Sequence, residues 1–469
     1  MASFYIDQHG CAKNQTDGEL LAGHLIKAGF TFSQSPDTAD FIIINTCGFI
    51  QSAKKESIDA VYALKAAYPK AKIIMAGCLA QRYADELYEQ MPELDGIFGN
   101  GDLSKITEYM TKKSKRKPLV TPQQGVCSGE RPYIFNFKGS AYVKITEGCS
   151  NNCSFCAIPL IRGPVRSRPV NEIIKEIKAL VKNGIYEINL IGQDLAAFTC
   201  KLPENQVYSS PLAYLLSKIS EIKGDFVIRT LYIHPDHFDT DILQLYKSDP
   251  RFLHYFDIPF QSGDDNIIKA MNRKGSAKEY ISLVKQIRKE LPDAAIRTTF
   301  LTGFPGETEE AALNTQNFLK SIKPFWSGCF AYSREEGTAA WNYKPRINQK
   351  TAQMRADALS TLQTEYTYEQ LSAYVSKKVD VLIEEVISGQ TPDEDEEGLA
   401  IARAWFDAPE VDGAVVVRFD SDDKEQCLAV KEGNVIKVQI LACTGMDLDA
   451  RFVSLVKACP KTSLKFSRE

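Results

Sequence analysis

Three short apolar runs in the first hundred residues are each followed by a cysteine, and helix-length segments separate them. The runs are FYID (4–7), FIIIN (41–45) and KIIMAG (72–77), and the cysteines are Cys11, Cys47 and Cys78. Strands that alternate with helices predict a parallel sheet, because parallel strands need a long crossover between them. The carboxyl ends of parallel strands lie along one edge of the sheet, where ligands bind. We therefore expect these three thiols, here called the N-terminal trio, to share one site.

The chemistry expected of such thiols depends on the compartment. The N-terminal segment MASFYIDQHG lacks the basic region and apolar stretch of a secretory signal. The apolar runs are also far shorter than the roughly 20 residues that span a bilayer. We therefore expect a cytoplasmic location without a membrane partner, where thiols stay reduced. One cysteine at a strand end would often be a core filler, but three favour a metal centre.

A second group of cysteines lies in TEGCSNNCSFCAIP (146–159), after the apolar run AYVKIT (141–146). Cys149, Cys153 and Cys156, here called the motif trio, have a C-x3-C-x2-C spacing. A 4Fe–4S cluster usually takes four cysteines, so three would leave one iron open for a ligand that binds through nitrogen and oxygen. A structural zinc site is the alternative, but it needs four ligands and no further Cys or His is close in sequence. The other cysteines have no metal-like spacing: Cys127, Cys200, Cys329, Cys427, Cys443 and Cys459.

The rest of the chain divides by its pattern. Six β/α units between about 138 and 370 predict a partly or fully closed parallel barrel, with a polar helix at its end. After 376, short runs of period two predict a small five-stranded β-barrel of OB-like type. The fold class is therefore α/β, with a parallel N-terminal domain (1–125), a central β/α barrel (135–374), a C-terminal β-barrel (375–443) and a tail (444–469). Residues 112–132 read as a linker, and the acidic TPDEDEEG (391–398) as an exposed turn.

The motif trio at the top of a β/α barrel resembles the radical S-adenosylmethionine (SAM) superfamily. In that superfamily the open iron binds the amino and carboxylate groups of SAM, and reductive cleavage gives a 5′-deoxyadenosyl radical. The resemblance implies that Phe155 lies near the adenine and that Gln193, in LIGQD (190–194), contacts the SAM amino group. It also implies that Gly303 and Gly306, in TGFPGETEE (302–310), lie near the adenosine.

The order of domains, up to about residue 443, resembles the methylthiotransferases, whose C-terminal barrel is of TRAM type. The resemblance implies two 4Fe–4S clusters: one on the motif trio that binds SAM, and an auxiliary one on the N-terminal trio that supplies or carries sulfur. SAM would then serve as both methyl donor and radical source. An external electron donor such as a flavodoxin is also implied.

Methylthiotransferases act either on tRNA adenosine derivatives or on an aspartate of small-subunit ribosomal protein twelve. The stretches NTCGFIQSAKKESIDAV, IHPDHF and DAPEVDG resemble the ribosomal-protein (RimO) type. The stretches FQSGDD (260–265) and MNRKG (271–275) resemble the tRNA type instead. Within IHPDHF, a role for His234 and His237 beside the substrate is one hypothesis.

Charge provides an independent argument about the substrate. The whole chain has a net charge of −4, and residues 377–443 contain seven Lys and Arg against sixteen Asp and Glu. A domain that binds tRNA should present basic side chains to phosphates, whereas an acidic barrel suits a basic ribosomal protein. An acidic surface that is merely solvated is the simpler alternative. The resemblance, together with the charge, favours methylthiolation at the β-carbon of a ribosomal-protein aspartate. The alternatives are a tRNA adenosine methylthiotransferase and an iron–sulfur electron-transfer or RNA-binding module without turnover.

Overall fold

The computed structural model describes residues 2–111, 116–204, 208–387 and 397–466. Two sequence predictions fall partly outside these ranges: the start of the linker at 112–132 and most of the acidic turn at 391–398. No helix in the described ranges is both long enough and apolar enough to cross a lipid bilayer.

The N-terminal domain contains the predicted parallel sheet, in the order β2-β1-β3-β4-β5. Its strands are β1 (Ser3–Gln8), β2 (Thr31–Phe32), β3 (Phe41–Thr46), β4 (Lys72–Gly77) and β5 (Gly96–Phe98). Its helices are α1 (Ala12–Lys27), α2 (Gln51–Ala67), α3 (Cys78–Arg82), α4 (Ala84–Gln90) and α5 (Ile106–Thr111). All six residues of β3 are buried, as expected for a parallel strand that is covered on both faces.

The central domain is an open sheet of six parallel strands, in the order β14-β13-β12-β11-β10-β7, so the predicted barrel is partial. The strands are β7 (Ser140–Lys144), β10 (Glu187–Ile191), β11 (Val227–Thr230), β12 (Phe252–Asp257), β13 (Ala295–Thr302) and β14 (Trp326–Ala331). Short strands β6 (Tyr133–Ile134), β8 (Thr146–Glu147) and β9 (Arg166–Ser167) flank them. The helices are α6 (Ile158–Arg162), α7 (Val170–Lys182), α8 (Pro211–Ser220), α9 (Ile242–Ser248), α10 (Asp265–Ala270), α11 (Ala277–Glu290), α12 (Glu309–Ile322) and α13 (Gln349–Ser372).

The C-terminal domain is a closed five-stranded barrel, in the order β15-β16-β17-β19-β18, which confirms the OB-like prediction. Its strands are β15 (Lys378–Ile387), β16 (Glu397–Ala404), β17 (Val415–Asp420), β18 (Val435–Thr444) and β19 (Asp447–Lys457), with helix α14 (Lys424–Ala429) between β17 and β18. The barrel closes where β15 pairs with β18.

The predicted end of the barrel at 443 is wrong, because β19 is its fifth strand. A two-residue hairpin at Gly445 and Met446 joins β18 to β19, and Gly445 has the positive φ of +69° that such a turn favours. The predicted tail at 444–469 therefore contains part of the barrel. Its last described residues form strand β20 (Lys465–Phe466), which pairs with β6 of the central domain.

Buried charged residues hold the C-terminal barrel against one face of the central sheet. Arg403 of β16 donates to Glu187 of β10 at 2.6 Å and to Glu384 of β15 at 2.7 Å. The following loop, residues 405–412, reaches into the partial barrel, where Asp412 accepts from the Tyr255 hydroxyl. The stretch DAPEVDG is therefore part of this contact rather than a surface loop of the barrel alone.

We expect Arg403→Leu to lower the free energy of unfolding by about 3–5 kcal/mol, because it leaves buried carboxylates without their cation. Urea unfolding followed by tryptophan fluorescence measures this change, since both Trp326 and Trp405 lie at the interface. Arg418→Leu is the matched control, because Arg418 pairs with carboxylates on the exposed barrel surface. The control should cost less than about 1 kcal/mol. Equal effects of the two substitutions would contradict the assigned role of Arg403.

Candidate functional site

The three members of the N-terminal trio follow neighbouring strands of one sheet. Cys11 caps the start of α1 after β1, Cys47 directly follows β3, and Cys78 directly follows β4. Residue pairs at the strand ends fix the register, with Thr46 opposite Gly77. The three thiols are close enough to influence one another electrostatically. The structure thus brings the predicted trio together.

Small residues and one amide hold the ends of these strands close. The Asn14 amide donates to the backbone oxygens of His9, Asn45 and Thr46 at 2.7–3.1 Å. A Cβ added to Gly48 would lie 2.8 Å from the backbone of Cys78, so glycine permits α3 to approach. Sequence analysis did not single out Asn14, because nothing in its local pattern distinguishes it from a solvent-exposed helix residue.

The environment of the N-terminal trio suits metal-bound thiolates better than free ones. Burial, with a contribution from the neighbouring Cys78 thiolate, raises the pKa of Cys47 to about 12. Burial also raises the pKa of Cys78. Arg162 opposes this rise, because its Nη2 donates a hydrogen bond to Cys78 Sγ at 3.2 Å. Iron–sulfur clusters bind cysteine as thiolate, and the positive charge of the metal would supply the stabilisation that these buried sulfurs lack.

Cys11 is the most exposed member of this trio. Burial would raise the pKa of Cys11, but the nearby charges of Lys13 and Arg162 lower it below the ordinary value. Because Cys11 is exposed, a ligand could approach the trio from its side.

The motif trio lies in the loop between β8 and α6. The Ser154 amide donates to the Met271 carbonyl oxygen and the Cys156 amide to the Cys153 carbonyl oxygen, both at 3.0 Å, which fixes the loop. Burial raises the pKa of Cys149 to about 11 and that of Cys156 to about 12. These two thiols and Cys153 also influence one another electrostatically.

Neither trio has the form of a site for one metal ion. Among the described residues, no three or more His, Cys, Asp and Glu side chains converge on a single ion position. A zinc site needs such convergence, whereas the irons of a cluster each take their own thiolate. The three thiols of each trio are the donor type that iron–sulfur clusters take.

Helices α3 and α6 bring the two trios to one interface. Cys78 at the start of α3 packs with Ala157 and Ile161 of the motif loop and α6, and Phe49 lies against them. The N-terminal domain and the central domain therefore contact each other at their cysteine-bearing edges.

The residues expected near SAM occupy different environments. The Gln193 side chain donates to Glu147 Oε1 at 3.2 Å, while its own Oε1 is buried and accepts no hydrogen bond among the described residues. Phe155 packs against the buried cluster that includes Phe304 and Tyr332. Both glycines have positive φ: a Cβ on Gly303 would collide with Ala352, whereas one on Gly306 would meet open space. The close contact with Ala352 of α13 explains why a glycine is needed at position 303. Of these two glycines, only Gly306 borders an open volume.

Comparisons with known proteins follow the same division of the chain. Residues 3–99 match Uncharacterized protein family UPF0004, residues 143–319 match the Radical SAM superfamily, and residues 375–453 match the TRAM domain. A ribosomal protein uS12 methylthiotransferase RimO from Treponema denticola is 50% identical over 95% of this chain and 99% of its own. The chain belongs to the ribosomal protein uS12 methylthiotransferase RimO family. A second RimO relative, from Carboxydothermus hydrogenoformans, is 37% identical over 96% of this chain and 99% of its own.

This RimO-family chain is a radical SAM methylthiotransferase. Among solved structures, the radical SAM methyltransferase TsrM from Kitasatospora setae has a TM-score of 0.52. The match covers 70% of this chain and 72% of TsrM at 12% identity, so it concerns the fold alone.

A buried charge network at the interface was not predicted from the sequence. It joins α1 to the strands and helix around the motif trio: Asp17, Lys144, Glu147 and Arg162. Arg162 and Lys144 hold the pKa of Glu147 well below its usual range despite burial. Asp17 lies more than 100 residues from its partners Lys144 and Arg162, and charged residues at such positions resemble ordinary surface residues in a sequence.

The two histidines of IHPDHF lie beside the motif trio. His234 Nε2 is 4.0 Å from Cys153 Sγ, and the His237 ring stacks on that of His234. His237 also pairs with Asp194, the residue after Gln193. The contact of His234 with Cys153 places the histidine pair beside the motif loop.

Proposed function

We propose that this chain inserts sulfur and a methyl group at the β-carbon of an aspartate in small-subunit ribosomal protein uS12. The arrangement that carries the proposal is the junction of α3 and α6, where Cys78 of the N-terminal trio packs against the motif loop and its helix. The shared name of the two relatives, uS12 methylthiotransferase, supports the choice of substrate. A reaction on an unactivated carbon needs its reagents held together, which adjacent centres at one domain interface would achieve.

The proposed ligands of two 4Fe–4S clusters are the two trios. The motif trio would leave one iron for SAM, and the free Gln193 Oε1 is suited to accept a hydrogen bond from the SAM amino group. When bound, these groups supply the radical, the sulfur and the methyl group. Phe155 and Gly306 would border the adenosine end, and Gly303 would hold that turn against α13.

The chain itself would fix the distance between the clusters. The network of Asp17, Lys144, Glu147 and Arg162 spans the interface and is almost fully buried. Because a buried ionic network is costly to open, it resists sliding of one domain on the other. Small displacements of reacting groups are expensive in rate, so such rigidity benefits the reaction.

The C-terminal barrel would recruit the basic substrate protein. Several of its acidic side chains are exposed: Glu385, Asp420, Asp422 and Glu425. Its cations are mostly paired, for example Arg418 with Glu397 and Asp449. Complementary charge mainly sets partner choice and association rate. The N-terminal domain would thus supply sulfur, the central domain would generate the radical, and the C-terminal barrel would recruit the substrate. An external donor such as a flavodoxin would deliver the electrons.

Mass spectrometry of uS12 and of bulk tRNA from a strain that lacks this gene tests the proposal. We expect the methylthio group of the uS12 aspartate to disappear while tRNA methylthiolation is unchanged. Loss of methylthio-adenosine from tRNA with uS12 unaffected would identify the chain as a tRNA enzyme instead. Complementation with the full-length chain is the control and should restore the uS12 modification.

A further inference from the structure

The interface between the N-terminal and central domains contains a largely buried cation, Lys13, to which neither trio assigns a role. Lys13 is the second residue of α1, two residues after Cys11, and only 8% of it is exposed. Its ammonium lies 3.4 Å from the centroid of the Tyr232 ring, which belongs to the central domain. Lys13 therefore projects from the N-terminal domain across the interface, beside the accessible thiol of its trio.

The Lys13 ammonium has no hydrogen-bond acceptor and no ion-pair partner among the described residues. Asp257 is the carboxylate whose charge acts on Lys13, and it lies 3.5 Å from Arg297. A lysine ammonium has three donors, and burial without an acceptor is unfavourable. The Tyr232 ring offsets part of that cost through a cation–π contact, but it accepts no conventional hydrogen bond.

Tyr232 is itself held in an unusual conformation. Its φ is +66°, in the left-handed region that a bulky residue seldom adopts. Backbone hydrogen bonds from Leu195 to Tyr232 and from Ile233 to Asp257 hold the segment in place. Strain of this kind persists where the surrounding structure enforces it, often at functional sites. In this conformation the face of the Tyr232 ring lies against the Lys13 ammonium.

We propose that Lys13 binds the side-chain carboxylate of the substrate aspartate. The inference rests on the proposed function, because it takes the aspartate of a basic protein as the substrate. The carboxylate is bonded directly to the β-carbon, so an ion pair at Lys13 places that carbon beside the accessible edge of the N-terminal trio. The free donors of the ammonium become satisfied only when this carboxylate is present.

This assignment makes Lys13 the residue that distinguishes aspartate from asparagine. An amide has the size of a carboxylate but no charge, so it gains less from a buried ammonium. The wild-type holoenzyme should bind a uS12 peptide with the substrate aspartate about ten- to hundredfold more tightly than the same peptide with asparagine. Lys13→Met keeps the length of the side chain and should bind both peptides equally, at the weaker level.

Fluorescence anisotropy with labelled peptides and the reconstituted full-length protein measures these affinities. Lys27→Met, at the exposed end of the same helix, is the matched control and should keep the wild-type preference. Lys13→Arg keeps the charge and should restore part of the preference. A Lys13→Met protein that still prefers aspartate as strongly as wild type would overturn the inference.

Two further outcomes are distinguishable. If the wild-type protein binds neither peptide, the proposed substrate is wrong and the inference fails with it. If Lys13→Met holds less iron than wild type, Lys13 supports the auxiliary cluster, and its assignment to the substrate is overturned. Normal iron content together with lost aspartate preference is the expected combination.

Discussion

Cys153→Ala is expected to abolish reductive cleavage of SAM. Cys153 is the middle member of the motif trio, and its backbone oxygen accepts from Cys156 within the loop. Two remaining thiolates cannot hold a four-iron cluster in the geometry that leaves one iron for SAM. Because even outer-shell changes at metal sites cost about 10–100-fold, loss of a ligand should lower 5′-deoxyadenosine formation by more than about a hundredfold.

The measurement is an anaerobic incubation with SAM and a chemical reductant, followed by quantitation of 5′-deoxyadenosine. If each trio holds one 4Fe–4S cluster, as proposed, the iron content should fall from about eight to about four atoms per chain. Cys329→Ala is the matched control, because Cys329 lies on β14 with its thiol 3.5 Å from Ser327 Oγ. Wild-type amounts of 5′-deoxyadenosine from the Cys153 variant would rule out the motif trio as the SAM-binding centre.

The positions of the thiols were predictable because they depend on local rules. Cys47 and Cys78 follow buried apolar strands, and parallel strands bring their carboxyl ends to one edge. Cys149, Cys153 and Cys156 are close in sequence, so their proximity required no knowledge of the fold. In both cases the chain itself determines the spacing, and the structure brings the residues together as expected.

The contacts between domains were not predictable in the same way. Arg162, Asp17 and Arg403 are buried because partners from another domain neutralise them. A charged residue in a sequence indicates a solvated surface unless its partner is known, and these partners are more than 100 residues away. Burial of a cation is therefore a tertiary property that local pattern does not contain.

Two other differences between sequence and structure have separate causes. Strand β19 was missed because the short TGMD turn before it was not recognised as a hairpin, although its glycine is the usual signal. The stretch DAPEVDG was interpreted as a marker of substrate type. In the structure this loop enters the partial barrel, where Asp412 contacts Tyr255 and Arg297.

Cys47→Ala should separate the two clusters functionally. Cys47 lies between Cys11 and Cys78 at the ends of adjacent strands. Under the proposed assignment, its loss removes a ligand from the auxiliary cluster only. We expect 5′-deoxyadenosine formation to continue, because the motif loop is held by its own backbone bonds and by the central domain. Sulfur insertion should fall by more than about a hundredfold, since the variant lacks a ligand of the sulfur-supplying centre.

Mass spectrometry of a uS12 peptide incubated with the reconstituted enzyme, SAM and reductant measures methylthiolation beside 5′-deoxyadenosine. Cys127→Ala is the control within the same part of the chain, because its thiol only reaches the Gly101 backbone oxygen at 3.6 Å. A Cys47 variant that methylthiolates at the normal rate would contradict the auxiliary assignment. A variant that loses both products would mean that the two trios depend on each other for assembly, and the α3–α6 contact between Cys78 and Ile161 is the structural route for that dependence.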